Sequence, residues 1–302
     1  AASQVDDKVT WYENLDGQNP VFSQVSITTS ADGAWGVYSG DLDNDGDLDI
    51  VSASYLDGNI SWYESDSASN NDTSVMAQAG PLEDYLSTSG SVTFSPGETV
   101  KTFTVTVKED LLPENNETVQ LTLSNPSNAT INDPLGSVSI TDDDAIKWDE
   151  FTLTTSADGA YDVHVADMDS DGDMDIVASS IHDDTIRWFE NNGNINPTFT
   201  ATTIATNVDH VREITLADMD GDGDLDILSA SENDDSIAWY ENNGAADPTF
   251  TKAVIATSAD GAQDVQVADL DGDGDLDIVS ASSLDDTIAW YENDGAANPT
   301  WT

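Results

Sequence analysis

The sequence predicts an all-β protein made of four-stranded, β-propeller-type blades, with an antiparallel β-sandwich inserted after the first blade. Three observations favour this fold class. A unit of four short strands repeats every 51 residues, an acidic nine-residue loop recurs at one place in that unit, and the apolar residues alternate with period two. A propeller blade has about 40–50 residues. A stacked solenoid, whose repeats are usually shorter, is the alternative.

The repeat is read from tryptophans and aspartates. The interval of 51 residues separates Trp188, Trp239 and Trp290, and also Asp167, Asp218 and Asp269. One unit contains strand a through Ile255, a Ser-Ala-Asp-Gly turn, strand b at 264–268, the acidic loop, strand c at 277–282 and strand d at 287–293. The pattern predicts four complete repeats, an extra strand d at 8–14 and the start of a strand a at 299–302. We expect the unpaired edges of these end strands to accept strands from another molecule. The alternatives are that four blades close and the ends act as caps, or that the chain is a segment of a longer propeller.

The inserted segment follows the first blade. Asp41 and Asp167 are 126 residues apart, 75 more than one repeat. A polar linker at 65–72 leads into period-two segments separated by Pro/Gly turns, which is typical of an antiparallel sandwich. The predicted domains are therefore residues 1–64 (extra strand and blade 1), 65–145 (sandwich) and 146–302 (blades 2–4).

The acidic loop reads D-x-D-x-D-G-x-x-D and occurs at 41–49, 167–175, 218–226 and 269–277. Five carboxylates in nine residues repel one another unless a cation binds. Calcium takes roughly 6–8 oxygen ligands, and such loops offer carboxylates from positions 1, 3, 5 and 9 and a carbonyl from position 7. Glycine at position 6 permits the sharp turn. A solvated acidic turn is the alternative, which four copies disfavour. The loops lack the Glu at position 12 and the flanking helices of an EF-hand.

These loops predict one calcium ion each, four in all. The candidate metal ligands are Asp41, Asp43, Asp45, Asp47, Asp49, Asp167, Asp169, Asp171, Asp173, Asp175, Asp218, Asp220, Asp222, Asp224, Asp226, Asp269, Asp271, Asp273, Asp275 and Asp277.

The composition excludes several classes of function. The chain of 302 residues has 60 acidic and 7 basic residues, a net charge of −53 that four calcium ions would only partly offset. Without a basic patch, nucleic acid and anionic membranes are excluded as partners. The absence of cysteine excludes disulfides and thiol catalysis. No apolar run reaches the length of a membrane span. We expect an extracellular or cell-surface protein, where salt and calcium would screen the charge.

The repeats resemble the FG-GAP/VCBS family. The resemblance rests on the acidic loop, the following Ile-Val-Ser-Ala-Ser and the Trp-Tyr-Glu-Asn strand, and covers residues 8–64 and 146–302. It implies a calcium-loaded β-propeller. Residues 84–144 are similar to the Calx-β domain, an Ig-like sandwich, because the Phe-Ser-Pro-Gly-Glu, Leu-Ser-Asn-Pro and Asp-Asp-Asp signatures occur in that order. That resemblance implies further calcium ligands at Asp142, Asp143 and Asp144.

Two other features have competing interpretations. The Trp-Tyr-Glu-Asn strands indicate packing between blades, or else a sugar-stacking surface. The three histidines, His164, His182 and His210, share no metal-ligand spacing and are interpreted as structural or solvated. No catalytic or cofactor-binding constellation is selected by the sequence, so we expect no enzyme activity.

The functional hypothesis is a secreted, calcium-stabilised, non-catalytic surface or matrix protein that acts in adhesion or self-assembly, including a head-to-tail filament. Its expected partners are calcium, other copies of itself, and surface proteins or glycans. A lectin-like carbohydrate-binding propeller is the first alternative, and a polysaccharide-degrading enzyme the second.

Overall fold

The computed structural model describes residues 1–14, 22–66, 85–86, 89–102, 104–107, 117–140, 147–296 and 299–301, and all regular elements in them are strands. Two compact units are present. The larger contains residues 1–65 and 148–302, and the smaller contains residues 66–147. Asp142, Asp143 and Asp144 lie outside the described residues, so their predicted role stays a prediction.

The larger unit contains five antiparallel sheets, numbered I to V in chain order, within the residues that the structure describes. Sheet I has β1 (Ala2–Ser3), β2 (Lys8–Asn14) and β3 (Phe22–Thr28). Sheet II has β4 (Ala34–Gly40), β5 (Asp49–Ser54), β6 (Asn59–Asp66) and β11 (Lys147–Thr154). Sheet III has β12 (Ala160–Ala166), β13 (Asp175–Ser180), β14 (Thr185–Asn191) and β15 (Phe199–Ala205). Sheet IV has β16 (Val211–Ala217), β17 (Asp226–Ser231), β18 (Ser236–Asn242) and β19 (Phe250–Ala256), and sheet V has β20 (Ala262–Ala268), β21 (Asp277–Ser282) and β22 (Thr287–Tyr291).

The sheets are offset by one strand from the sequence repeat. Strand a of each repeat pairs with strand d of the preceding repeat, as β15 does with β14 and β19 with β18. Asn191 and Phe199 face each other across this hairpin, so a short connection after strand d leads directly into strand a. The sequence grouping of a, b, c and d into one blade is therefore wrong. Among the described residues, sheets II to IV have four strands each and sheets I and V have three. The closed propeller stays a prediction.

Tryptophans of strand d fill the layers between sheets. Trp62 of sheet II lies in one apolar cluster with Phe189 of sheet III, and Trp188 of sheet III lies in the next cluster with Tyr240 of sheet IV. Each of these four side chains is at most 3% exposed. This confirms the packing interpretation of the Trp-Tyr-Glu-Asn strands in sheets II to IV, because residues on both faces of strand d are buried there.

Strand b is an edge strand of each of sheets II to V, and the b strands of successive sheets lie beside one another. β12 contacts β4 and β16, and β16 also contacts β20. Residues at one position of successive repeats, 51 apart in the last three repeats, are thereby brought close together. Side chains from the b strands of two neighbouring sheets can therefore meet in a single site.

The smaller unit contains two strand pairs in its described residues. β7 (Tyr85–Leu86) pairs with β8 (Thr106–Val107), and β9 (Glu117–Thr122) pairs with β10 (Leu135–Ile140). Val119 faces Val138 across the second pair and is buried. The predicted antiparallel pairing is present in these segments, and the complete sandwich stays a prediction.

Two tryptophans at one repeat position provide a test of the packing. Trp188 is 1% exposed, whereas Trp290 is 49% exposed. We expect Trp188→Ala to lower the free energy of unfolding by about 3–5 kcal/mol, because removal of a buried aromatic side chain leaves a cavity. Trp290→Ala should cost about 1 kcal/mol or less. Urea denaturation followed by circular dichroism measures both, and equal losses would contradict packing between sheets as the source of stability.

Candidate metal centres

Each acidic loop joins strands b and c of one sheet. The residue before position 1 pairs with position 9, as Gly40 does with Asp49 and Ala166 with Asp175, so the strand ladder closes the base of the loop. This confirms the prediction of a loop between two strands. Because the two ends of the loop are paired residues of neighbouring strands, their separation is set by the sheet. The length of the loop and its backbone turns then determine where the carboxylates point.

Two residues in each loop have positive φ. At position 6 the glycine φ values are 98°, 102°, 101° and 105° for Gly46, Gly172, Gly223 and Gly274. A Cβ at these glycines would meet no atom within 4 Å, so the backbone conformation and not lack of space requires glycine. Position 4 also has positive φ, a feature that the sequence analysis missed. Its residues, Asn44, Ser170, Gly221 and Gly272, are all small turn formers, which was the available signal.

The carboxylates of positions 1, 3 and 5 converge in three of the loops. In each group, one possible ligand atom from every residue lies within 4.8 Å of the others. The groups are Asp41, Asp43 and Asp45; Asp218, Asp220 and Asp222; and Asp269, Asp271 and Asp273. In the second loop the group is Asp167, Asp169 and Asp175, which uses position 9. Several acidic clusters could therefore hold a metal ion.

Backbone N–H groups fold the loop around the position 1 carboxylate. In the first loop, the N–H of Asp45 donates to Asp41 Oδ1 at 3.0 Å and the N–H of Gly46 donates to Asp41 Oδ2 at 3.0 Å. Asp167 accepts the corresponding bonds in the second loop, at 3.1 Å each. These bonds fold the loop backbone around the position 1 carboxylate and fix its orientation, which a metal-ligand site requires.

Among the described residues, no lysine, arginine or histidine forms an ion pair with a position 3 carboxylate. Burial, with repulsion from Asp45 and Asp49, raises the pKa of Asp43 to about 7. Burial followed by repulsion from position 5 likewise raises the pKa of Asp169 and Asp220. A bound divalent cation would reverse this effect because it favours the ionised carboxylate.

The position 9 aspartate has a structural role that the sequence analysis missed. Asp175 Oδ2 accepts the N–H of Met168 at 3.1 Å, and its Oδ1 accepts the N–H of Asn191 at 2.8 Å. The carboxylate thus ties the loop to the end of strand d. Asp49, Asp226 and Asp277 accept the equivalent two bonds.

Burial opposes the charge of these position 9 aspartates. It raises the pKa of Asp175 to about 7, and that of Asp49 and of Asp226 to about 6, although both backbone bonds favour ionisation. The indole N–H of Trp188 lies near Asp175 and also favours the ionised form, but it has no hydrogen bond of normal geometry. The double anchoring leaves lone pairs on both oxygens, so position 9 remains a possible ligand.

The position 7 side chains lie outside the four carboxylate groups. A Cβ added to Gly193, Gly244 or Gly295 would come within 2.0 Å of Oδ2 of Asp173, Asp224 or Asp275, respectively. The position 7 carboxylates therefore pack against the glycine after strand d, a contact that only glycine permits. Asp47, the position 7 residue of the first loop, is also outside its carboxylate group. The ligand predicted from position 7 is its backbone carbonyl. The placement of the side chain does not conflict with that prediction.

A buried asparagine at the end of strand d connects successive loops. Asn191 Nδ2 donates to the carbonyl of Leu42 in the preceding loop at 2.7 Å and to that of Met174 in its own loop at 2.9 Å. Asn242 bridges Met168 and Leu225 in the same way, and Asn293 bridges Met219 and Leu276. The sequence signal was the recurrence of Asn in the Trp-Tyr-Glu-Asn motif.

The glutamate of the same motif was also missed. Glu64, Glu190 and Glu241 lie close enough to Asp43, Asp169 and Asp220, respectively, to raise the pKa of each aspartate. Each of the first three loops therefore has a further carboxylate beside position 3.

The comparison with known families agrees with this geometry. The family model described as FG-GAP-like repeat matches residues 1–52, 167–229 and 218–280, together more than half of the chain. The chain belongs to the FG-GAP-like repeat family. A Calx-beta domain matches residues 53–145, as the sequence resemblance indicated, although residues 53–65 belong to the larger unit in the structure. No curated protein matches the chain.

Two neighbouring asparagines test the bridge between FG-GAP-like loops. Asn242 is 1% exposed and bridges two loops, whereas Asn243 is exposed and bonds to Thr249 within its own turn. We expect Asn242→Ala to lower the free energy of unfolding by about 1–3 kcal/mol, because two buried carbonyls lose their donor. Asn243→Ala should cost about 0.5 kcal/mol or less. Chemical denaturation of both variants in calcium gives the values, and a small loss for Asn242→Ala would show that the bridge contributes little.

Proposed function

We propose that this FG-GAP-like chain is a calcium-stabilised, non-catalytic surface or matrix protein that acts outside the cell in adhesion or self-assembly. The observation that carries the proposal is the presence of a carboxylate group at the same loop of four successive repeats. The domain types found, FG-GAP-like repeats and Calx-beta, are typical of surface or adhesion proteins and are typically non-catalytic.

Calcium is the cation that best fits the loop donors. Carboxylate and carbonyl oxygens are the ligands of hard cations, and calcium accepts irregular cages of them. Magnesium demands near-ideal octahedral geometry and dehydrates reluctantly, so closely crowded carboxylates suit it less. Asp41, Asp43 and Asp45 would hold the ion in the first loop, with the equivalent residues in the others. The bound ion would offset the repulsion between these closely spaced carboxylates.

The charge and the larger unit's ion pairs favour an extracellular location. The net charge is −53, and the larger unit's described residues contain only three ion pairs with Lys or Arg, at Lys8–Asp6, Arg187–Asp183 and Arg212–Glu232. Dissolved salt and calcium would therefore supply most of the counter-charge. In the described part of the chain no helix is long and apolar enough to cross a membrane.

Self-assembly is favoured by an apolar face on sheet V. Ile288 is 73% exposed and Trp290 is 49% exposed, whereas Ile237 and Trp239 at the same repeat positions are 0% and 2% exposed. In sheets II to IV this face is covered by the following sheet. In the proposed assembly, a sheet from a second copy of the chain covers it.

A carbohydrate-binding role is the second candidate, and exposed aromatic rings on sheet II favour it. Trp35 is 43% exposed and packs against Tyr161 in a tilted arrangement with 4.7 Å between ring centroids, and Tyr38 is 41% exposed. Aromatic faces of this kind are able to stack on sugar rings. A glycan array in calcium tests this candidate, and binding abolished by Trp35→Ala would favour it over self-assembly.

Removal of calcium tests the metal proposal. We expect chelation by EDTA to lower the melting temperature strongly, because binding to the native state alone adds about 2.7 kcal/mol per site at a hundredfold excess over Kd. Added calcium should restore the melting temperature and magnesium should restore it poorly. Calorimetry measures the transitions, and identical curves with and without chelator would refute the proposal.

A matched pair of aspartates tests which residues bind. Asp273 belongs to the carboxylate group of the fourth loop, whereas the exposed Asp260 lies in the turn before strand b. We expect Asp273→Ala to remove one calcium per chain and Asp260→Ala to remove none. Calcium stoichiometry is measured by isothermal titration, and equal values for both variants would contradict the assignment.

Sedimentation velocity tests self-assembly. We expect the chain at high concentration in millimolar calcium to sediment as oligomers, and Ile288→Ser to shift it towards monomer because the apolar face loses a 73%-exposed side chain. Leu48→Ser is the control, since Leu48 is 54% exposed but lies in an acidic loop. A wild-type chain that stays monomeric would exclude the self-assembly form of the proposal, with no effect on the calcium result.

A further inference from the structure

Outside the acidic loops, the b strands bring a histidine and two carboxylates together. Asp162 and His164 are two residues apart on β12 and therefore share one face of the strand, and Glu213 lies on the neighbouring β16. One possible ligand atom of each of the three residues lies within 4.8 Å of the others. None of the three is fully exposed.

Contacts from three sheets hold these residues in place. The N–H of Ile214 in sheet IV donates to Asp162 Oδ2 at 3.0 Å, so Asp162 is fixed across the boundary between sheets III and IV. His164 Nε2 lies 3.2 Å from the same Asp162 oxygen. The His164 ring also packs against Tyr38 of sheet II, with 5.0 Å between the ring centroids. The imidazole orientation is thus set from both sides.

Glu213 has no partner for its charge. Among the described residues, no Lys, Arg or His nitrogen lies within 4.0 Å of its carboxylate and no group donates a hydrogen bond to it. Its neighbours are instead the carboxylates of Asp162 and Asp264, and burial followed by repulsion from these two groups raises the pKa of Glu213. A cation placed between Glu213, Asp162 and His164 would compensate this charge.

We propose that Asp162, His164 and Glu213 form a second class of metal site, which takes a divalent transition metal such as zinc and links sheets III and IV. The donor set decides the class of metal. One imidazole nitrogen with carboxylate oxygens is a donor set that zinc accepts, whereas calcium in proteins takes oxygen ligands only. This site is distinct from the four loops, whose groups contain aspartate oxygens alone.

Zinc titration of the full chain with the loops saturated by calcium tests the site. We expect one zinc ion per chain, and a loss of affinity of at least about tenfold in His164→Ala and in the nearly isosteric Glu213→Gln. His182→Ala is the control, because His182 bonds to Tyr55 and Asp158 at the turn end of the sheets and lies outside the ligand group. Melting curves in calcium alone establish that each variant is folded.

Cobalt provides a second readout that depends on the coordination. In the wild-type chain, cobalt should give a visible absorption band that excess zinc removes and that His164→Ala lacks. Absence of zinc binding in the wild-type chain, or equal affinity in all variants, would overturn the proposal. Calcium stoichiometry and calcium-dependent melting are measured separately, so failure here leaves the proposed function untouched.

Discussion

A buried carboxylate at the start of strand c connects each acidic loop to its sheet. In sheet III, Asp175 is 1% exposed and accepts one backbone N–H from the loop and one from the end of strand d. Both loop ends and the adjacent strand therefore converge on one side chain. Because the same arrangement recurs at Asp49, Asp226 and Asp277, it fixes the geometry on which all four candidate metal sites depend.

The loops are also coupled to one another. Asn191, Asn242 and Asn293 each donate to a carbonyl of their own loop and to one of the preceding loop, so a shift of one loop is transmitted to the next sheet. Asn44 in the first loop also donates to Asp173 in the second, at 2.6 Å. Metal binding at one loop would therefore stiffen the boundary between two sheets. This coupling gives a physical reason why local charge compensation would affect stability over the whole repeat array.

The sequence revealed local features well because local chemistry determines them. Gly46 and its equivalents were recognised because positive φ excludes most other residues, and the tryptophans of strand d were recognised because their spacing matches the repeat. The offset between sheet and repeat was missed because the turn after strand d determines that strand a pairs with that strand d. Strand b of the same repeat, the other possible partner, has the same alternation of apolar residues. The anchoring role of Asp175 was missed because a carboxylate that accepts backbone N–H groups and one that would bind a metal look alike in sequence. The group at Asp162, His164 and Glu213 was missed because it joins two strands of different sheets.

Apolar packing and carboxylate charge act in different parts of the larger unit. The layers between sheets contain apolar clusters packed around Trp62, Trp188 and Trp239. The predicted calcium ligands lie in the acidic loops, where burial and repulsion from neighbouring carboxylates raise the pKa of Asp43 to about 7. Without a cation, the protein can relieve this repulsion only by taking up protons or by opening the loops. Opening a loop would break the bonds of its position 9 aspartate and its asparagine bridge while leaving the tryptophan layers intact. The metal-free chain should therefore loosen first at the loop ends of its sheets, and the apolar layers should be the last part to separate.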